Sequence, residues 1–178
     1  IQSPQILQVS GIGPAAVLKR CGVEMIAESP NVGKNLQEHY QMRTVVEMGS
    51  NNSVNKQIRN PIELAKMGLS WALSGRGPLT IGAGQVGGAM RTSLAPTNQP
   101  DLQLFVMPLS VDKPGEPLHR YPGFTSAIWQ CHPRSRGSIE IIDPDPTQAP
   151  KIQPNYLADA LDQNTMVEGI KILRQIYK

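Results

Sequence analysis

Twelve residues near the N-terminus, Ser3-Pro4-Gln5-Ile6-Leu7-Gln8-Val9-Ser10-Gly11-Ile12-Gly13-Pro14, hold two helix starts and one helix stop. Ser3 is placed to cap a helix with its hydroxyl, and Pro4 suits the first helical position, where its absent N–H leaves no bond unmade. Gly11 suits the left-handed residue that ends a helix. Gly13-Pro14 then opens a second helix through Ala15-Ala16-Val17-Leu18-Lys19-Arg20, which stops at Gly22. Spacing alone predicts helix, turn, helix and then a strand at Val23-Glu24-Met25-Ile26, and such punctuation is by itself ordinary structure.

Further along, the period changes. Met42, Thr44, Val46 and Met48 alternate with Arg43, Val45 and Glu47, as in a half-buried strand. After a loop rich in Asn and Ser, Asn60-Pro61 caps a helix through Ile62, Leu64, Met67, Gly68, Trp71 and Leu73 that stops at Gly75. A strand pair is predicted around Gly77-Pro78-Leu79-Thr80, with Gln85-Val86 and Ala89-Met90 also extended. Alternation predicts two more strands, at Leu102–Met107 and Phe124–Cys131, and a short one at Ser138–Ile142. Met166, Ile170, Leu173 and Tyr177 make one apolar stripe on a final helix over 159–177. The class is α+β: an antiparallel sheet with helices packed on one side.

At 178 residues, with 39% hydrophobic and 17% charged residues, the chain can build a core and is globular in composition. No apolar run approaches the ~20 residues that span a bilayer. A net charge of +3 and a pI near 9.0 raise the question of an anionic partner. Lys19, Arg20, Lys56, Arg59, Lys66, Arg134, Arg136, Lys171 and Arg174 fall on separate elements without interleaved aromatics, which is a solvated surface and no nucleic-acid site. Cys21 and Cys131 are expected as two thiols, and His39, His119 and His132 share no metal-like spacing.

Four ordered stretches resemble the glucose-methanol-choline (GMC) oxidoreductases, FAD-dependent enzymes that oxidise alcohols. SPQILQVSGIGP followed by Pro30-Asn31-Val32-Gly33-Lys34-Asn35-Leu36-Gln37-Glu38-His39 is similar to the family's second signature and the segment after it. Gly77-Pro78-Leu79-Thr80-Ile81-Gly82 with Gln85-Val86-Gly87-Gly88 resembles the entry to the substrate domain, most closely in choline-dehydrogenase-like members. Pro133-Arg134-Ser135-Arg136-Gly137-Ser138-Ile139, Asp143-Pro144-Asp145-Pro146, Ala149-Pro150-Lys151-Ile152 and Pro154-Asn155-Tyr156-Leu157 then follow in the family's order. The resemblance implies a remnant of the FAD-binding domain over 1–41 and a substrate-binding domain over 42–178. It implies FAD in a longer parent, with the chain an internal piece that is inactive and does not hold FAD alone, because no strand, G-x-G-x-x-G turn and helix occur here.

The same resemblance places Ser3, Pro4, Asn35 and His39 near the flavin. No residue takes a catalytic role, since the family's catalytic histidine pair is expected C-terminal to this chain, and no metal is expected. On the substrate side stand Gln85 and Trp129. A buried amide at Gln85 can bond a substrate or satisfy neighbouring backbone; Trp129 can wall a cavity or hold a cation, or serve as a core aromatic. The loop Pro108–Gly123 is long enough for a lid and equally suits a connector. The implied partners are a small alcohol substrate and the missing FAD-binding domain, with dimerisation through Ile6, Leu7, Val9, Val17 and Leu18 if these lack cover. The implied location is the cytoplasm or a membrane periphery. A stand-alone α+β binding module is the competing reading.

Overall fold

Asn60 shows how directly local sequence sets an element. Its side-chain oxygen accepts from the N–H groups of Ile62 and Glu63, Pro61 follows at the helix start, and Gly75 ends the helix in the left-handed conformation with φ 63°. The computed structural model describes every residue except 51, 52, 81, 83 and 114. Asn51 and Asn52 of the Asn/Ser loop, Ile81 and Ala83 of the glycine-rich stretch and Pro114 of the long loop therefore lie outside the described residues.

Along the chain the elements begin with α1 (Gln2–Val9), β1 (Ile12–Gly13), α2 (Ala15–Arg20), β2 (Ala27–Glu28) and β3 (Gln41–Glu47). Then come α3 (Val54–Gln57), α4 (Pro61–Ser74), a 3₁₀ turn at Pro78–Thr80, and β4 (Val86–Met90). The last are β5 (Leu102–Met107), β6 (Gly123–Gln130), β7 (Ser138–Glu140), β8 (Lys151–Gln153) and α5 (Ala160–Ile176). They form two units: residues 1–40 with 132–164, and residues 41–131 with 165–178. Residues 132–164, which the motif resemblance assigns to the substrate domain, thus pack with the N-terminal segment.

In the first unit, β1 and β2 pair in parallel and β7 pairs with β8 antiparallel. Three expectations are corrected here. Ser3 does not cap: the helix begins at Gln2, so Ser3 and Pro4 lie inside its first turn, where the first four N–H groups have no helical partner and proline is still tolerated. The strand expected over Val23–Ile26 lies instead at Ala27–Glu28, because the Gly11 carbonyl takes the Ile26 and Ala27 N–H groups and sets the parallel register. Of the apolar residues expected to lack cover, Val17 and Leu18 are buried, while Ile6 and Leu7 are exposed.

The deepest polar group of this unit is Gln8, fully buried. Its oxygen accepts the Ile141 N–H at 2.8 Å, and its amide nitrogen donates to the carbonyls of Ile139 at 3.1 Å and Val32 at 3.3 Å. The Gln5 amide nitrogen donates to the carbonyls of Gln148 at 2.7 Å and Pro146 at 3.1 Å. Two amides one helical turn apart thereby satisfy the backbone of the β7 region. At the surface beside them, Glu140 binds Lys34 at 2.6 Å and Arg20 at 3.0 Å. The hydrogen bonds from Lys34 and then Arg20 hold its carboxyl below its ordinary value of 4.5. A lowered carboxylate contributes stability that is present above its unfolded value and is lost as pH falls through the folded one. Below about pH 4.5 the parent chain is therefore expected to lose stability that Glu140→Gln lacks at every pH. Urea midpoints for the two chains should converge on acidification; parallel curves would contradict the assignment.

In the second unit, four antiparallel strands run in the order β3-β6-β5-β4. The strand pair expected around Gly77–Thr80 is replaced by the 3₁₀ turn, whose Thr80 N–H and hydroxyl both donate to the Gly77 carbonyl. Elsewhere the alternation holds, with Met42, Thr44 and Val46 half-buried and their neighbours exposed. Gly169 of α5 lets that helix approach the sheet: a Cβ there would lie 2.8 Å from Ile128 Cδ1 and 2.9 Å from Leu102 Cδ2. Midway along α5, Glu168 accepts from the Ser93 N–H and hydroxyl; just after the helix, Tyr177 meets the Phe124 ring edge-on at 5.3 Å and shares a hydrogen bond with Ser126.

Candidate functional site

Contact between α5 and the sheet separates the sheet's two faces. Phe124 and Ser126 meet Tyr177, just past α5, and Ile128 lies against Gly169 of α5, so by strand alternation Thr125, Ala127 and Trp129 project from the other face. Trp129 is registered with Gln103 and Gln41, and Ala127 with Phe105 and Arg43. Phe105 is registered in turn with Gly87. Gln85, two residues before Gly87, falls on that same face.

The structure therefore brings Gln85 and Trp129 to one face, on β6 and just before β4, with β5 between them. Phe105 fills the middle. Its ring meets Trp129 at a centroid distance of 5.7 Å and 63°, an edge-to-face pair. The chain at Gly84 also lies against that ring, where a Cβ would be 2.8 Å from Phe105 Cδ2. Phe105 and Trp129 are half-buried and Gln85 is exposed, so the buried amide considered from sequence is not what the structure shows. Sequence alternation places Phe105 on a strand; only the register places it between the two candidates.

The long loop after β5 is held down. Asn55 of α3 is fully buried; its amide nitrogen donates to the Ser110 carbonyl and hydroxyl at 3.1 and 2.8 Å and to the His119 carbonyl at 3.1 Å. Its oxygen accepts the Ser110 N–H at 3.0 Å. His119 stacks on Tyr121 at 4.7 Å and its Nε2 lies 3.2 Å from Asp112. These contacts tie both ends of the loop to one side chain, and the loop reads as an anchored connector. Beside it, Met48, Ser53, Val54, Gln57, Val106, Pro108 and Phe124 bound a hollow of about 340 Å³ that neither Gln85 nor Trp129 lines.

On the first unit, Ser3 and Pro4 line a mostly apolar hollow of about 290 Å³ together with Leu7, Val32, Gly33, Lys34, Leu36 and Ile139. Asn35, at φ 57°, is exposed between two of these residues, and His39 is exposed outside the hollow, its N–H donating to the Glu38 carboxylate. FAD needs a glycine turn that leads from a strand into a helix N-terminus. Here the glycine-rich stretch leads into β4, which pairs with β5, and the hollow beside Ser3 presents no buried side-chain polar atom lacking a partner. These residues do not by themselves fit FAD, and no step of a reaction is routed through it below. Among the described residues, no group of three or more His, Cys, Asp or Glu is placed to hold a metal, and no helix is long and apolar enough to cross a membrane.

The sheet and its packed helix recur in solved structures. The chain superposes on a formate oxidase variant of Aspergillus oryzae with a TM-score of 0.83 and 23% identity, covering 96% of this chain and 34% of that one. A sequence model of the GMC oxidoreductase family matches residues 133–178. An alcohol dehydrogenase [acceptor] of Pseudomonas putida is 34% identical over 178 residues, covering 99% of this chain and 32% of that protein. An oxygen-dependent choline dehydrogenase of Burkholderia cenocepacia is 32% identical over 187 residues, covering all of this chain and 31% of that protein. This is GMC oxidoreductase sequence, and the chain spans about a third of the length of the curated relatives it matches.

Proposed function

We propose that this chain supplies the substrate-facing sheet of an FAD-dependent oxidoreductase that converts a primary alcohol to an aldehyde. One observation carries the reading: Gln85, Phe105 and Trp129 share the sheet face that α5 leaves uncovered, in a chain whose similar proteins include an alcohol and a choline dehydrogenase. Flavin, when bound, supplies the redox chemistry. The aromatic pair walls the alcohol and excludes water, and the Gln85 amide, which both donates and accepts, orients its hydroxyl. On this reading Ser3, Pro4, Asn35 and His39 lie toward the cofactor, which is held mainly by residues outside these 178. The chain alone is then colourless and inactive.

A chimera tests this, with the aligned third of the Pseudomonas alcohol dehydrogenase replaced by residues 1–178. Primary alcohols should bleach its flavin absorbance. Gln85→Ala should raise KM or shift the preferred alcohol by a factor of about 2–10, equivalent to one hydrogen bond of ~0.5–1.5 kcal/mol. Lys171→Ala, at an exposed position of α5, should change neither. Unchanged kinetics in folded Gln85→Ala across several alcohols would make this sheet face scaffold.

A further inference from the structure

Among the described residues, the four strands of the second unit's sheet carry charge only at Arg43 and Glu47. Both lie on β3, and alternation puts both on the face of Gln85, Phe105 and Trp129. They are well separated there: Arg43 is registered with Ala127, and Glu47 with Gly123, roughly 13 Å further along the strand. Arg43 Nε donates to the Gln41 side-chain oxygen at 2.9 Å. That bond turns the guanidinium along β3 toward Gln41, whose registered neighbour is Trp129, so the positive charge stands at the Trp129 end of the face. It engages Nε alone. The two terminal nitrogens of the fork remain as donors, and among the described residues Arg43 makes no ion pair.

The strand order β3-β6-β5-β4 sets Arg43, Trp129, Phe105 and Gln85 on one diagonal across the sheet. It reads guanidinium, ring, ring, amide. Phe105 is flanked in its row by Ala127, fully buried, and by Gly87, so no long side chain rises from these to interrupt the line. Three strand spacings and two residues along the strand separate Arg43 from Gln85, roughly 15 Å between Cα atoms. Once the two side chains have reached inward, one aromatic ring with a substituent at each end fills the remainder. We propose, on the reading that this face meets the alcohol, that Arg43 selects an aromatic primary alcohol carrying a carboxylate at its far end. The acid lies on the Arg43 fork, the ring against Trp129 and Phe105, and the hydroxyl on Gln85. A quaternary ammonium at that end meets like charge. An edge-strand arginine that only keeps sheets from pairing gives no such preference.

The chain has two tryptophans, so Trp71→Phe, at an exposed position, leaves Trp129 as the only indole reporter. In that chain 4-(hydroxymethyl)benzoate should quench the emission saturably, and benzyl alcohol should require about tenfold more. Arg43→Gln should erase the difference. Arg43→Lys, which keeps the charge without the fork, should retain part of it, and Lys171→Gln, which removes a charge from α5, should leave it intact. In the chimera, kcat/KM for 4-(hydroxymethyl)benzoate relative to benzyl alcohol should fall about tenfold in Arg43→Gln, chiefly through KM. Gln85→Ala, which touches the group common to both alcohols, should leave that ratio within about twofold. Equal quenching by the two alcohols, or a ratio that Arg43→Gln does not move, would overturn the role of Arg43 while Gln85→Ala still upholds the sheet face. No quenching by either alcohol, together with a silent Gln85→Ala, would overturn the sheet-face reading and this proposal with it.

Discussion

Asn55→Asp is expected to be the most destabilising single-atom-scale change in the second unit, at about 3–5 kcal/mol at pH 7. Asn55 is fully buried, and its amide nitrogen is surrounded by acceptors: the Ser110 carbonyl and hydroxyl and the His119 carbonyl. An aspartate keeps the acceptor for the Ser110 N–H but turns a carboxylate oxygen toward those carbonyls, with no donor and no counter-ion. Such a loss consumes much of the ~5–15 kcal/mol that holds a domain folded. The sign with pH follows. A buried, unpartnered carboxylate has its pKa raised on folding, so its penalty is full above the raised value and shrinks as pH falls toward the unfolded ~3.9. Urea midpoints of Asn55→Asp relative to the parent should therefore recover partly near pH 4. A difference below 1 kcal/mol at pH 7 would mean that the loop 108–123 is held by something other than Asn55.

Gly33→Ala is expected to cost a similar amount in the first unit, about 3–5 kcal/mol. Gly33 adopts φ +81°, and a Cβ there would run into the Ile139 carbonyl oxygen and lie 2.6 Å from the Gln8 amide nitrogen. Neither neighbour can retreat: Ile139 donates its N–H to the Gly33 carbonyl at 2.7 Å, and Gln8 is fixed by three further backbone groups. Gly22 is the control, at φ +67° with nothing within 4 Å of an added Cβ. Gly22→Ala should cost only the left-handed backbone term, ~1–2 kcal/mol. Amide exchange at Ile141, whose N–H is bound to Gln8, should accelerate in Gly33→Ala and stay slow in Gly22→Ala. Equal costs for the two substitutions would show that the Gly33 loop can relax.

Much of the fold is legible because its signals are local. Asn60-Pro61 and Gly75 bound α4 where their chemistry requires, and the alternations at Met42–Met48, Leu102–Met107 and Phe124–Gln130 become strands of one antiparallel sheet. The misreadings arise where local chemistry has two outlets. Ser3 is a good cap, yet the helix starts at Gln2 and leaves it in the first turn; Gly77–Thr80 closes on itself as a 3₁₀ turn instead of entering a strand. Gln5, Gln8 and Asn55 are not legible as anchors in the sequence, because an amide carries no periodic signature. Each is defined by backbone partners 24 to 143 residues away, so their importance belongs to the fold.

The candidate site divides in the same manner. Sequence by itself determined the bounds of α4, the strand alternation of the four-stranded sheet, the net charge of +3 and the four motifs that resemble GMC oxidoreductases, because each depends on residues within one turn, one strand or one ordered string. Tertiary structure alone decided that Phe105 stands between Gln85 and Trp129 and that residues 132–164 pack with the N-terminal segment. Register, packing partner and exposure are relations between distant residues, and a pattern of period two or 3.6 contains none of them.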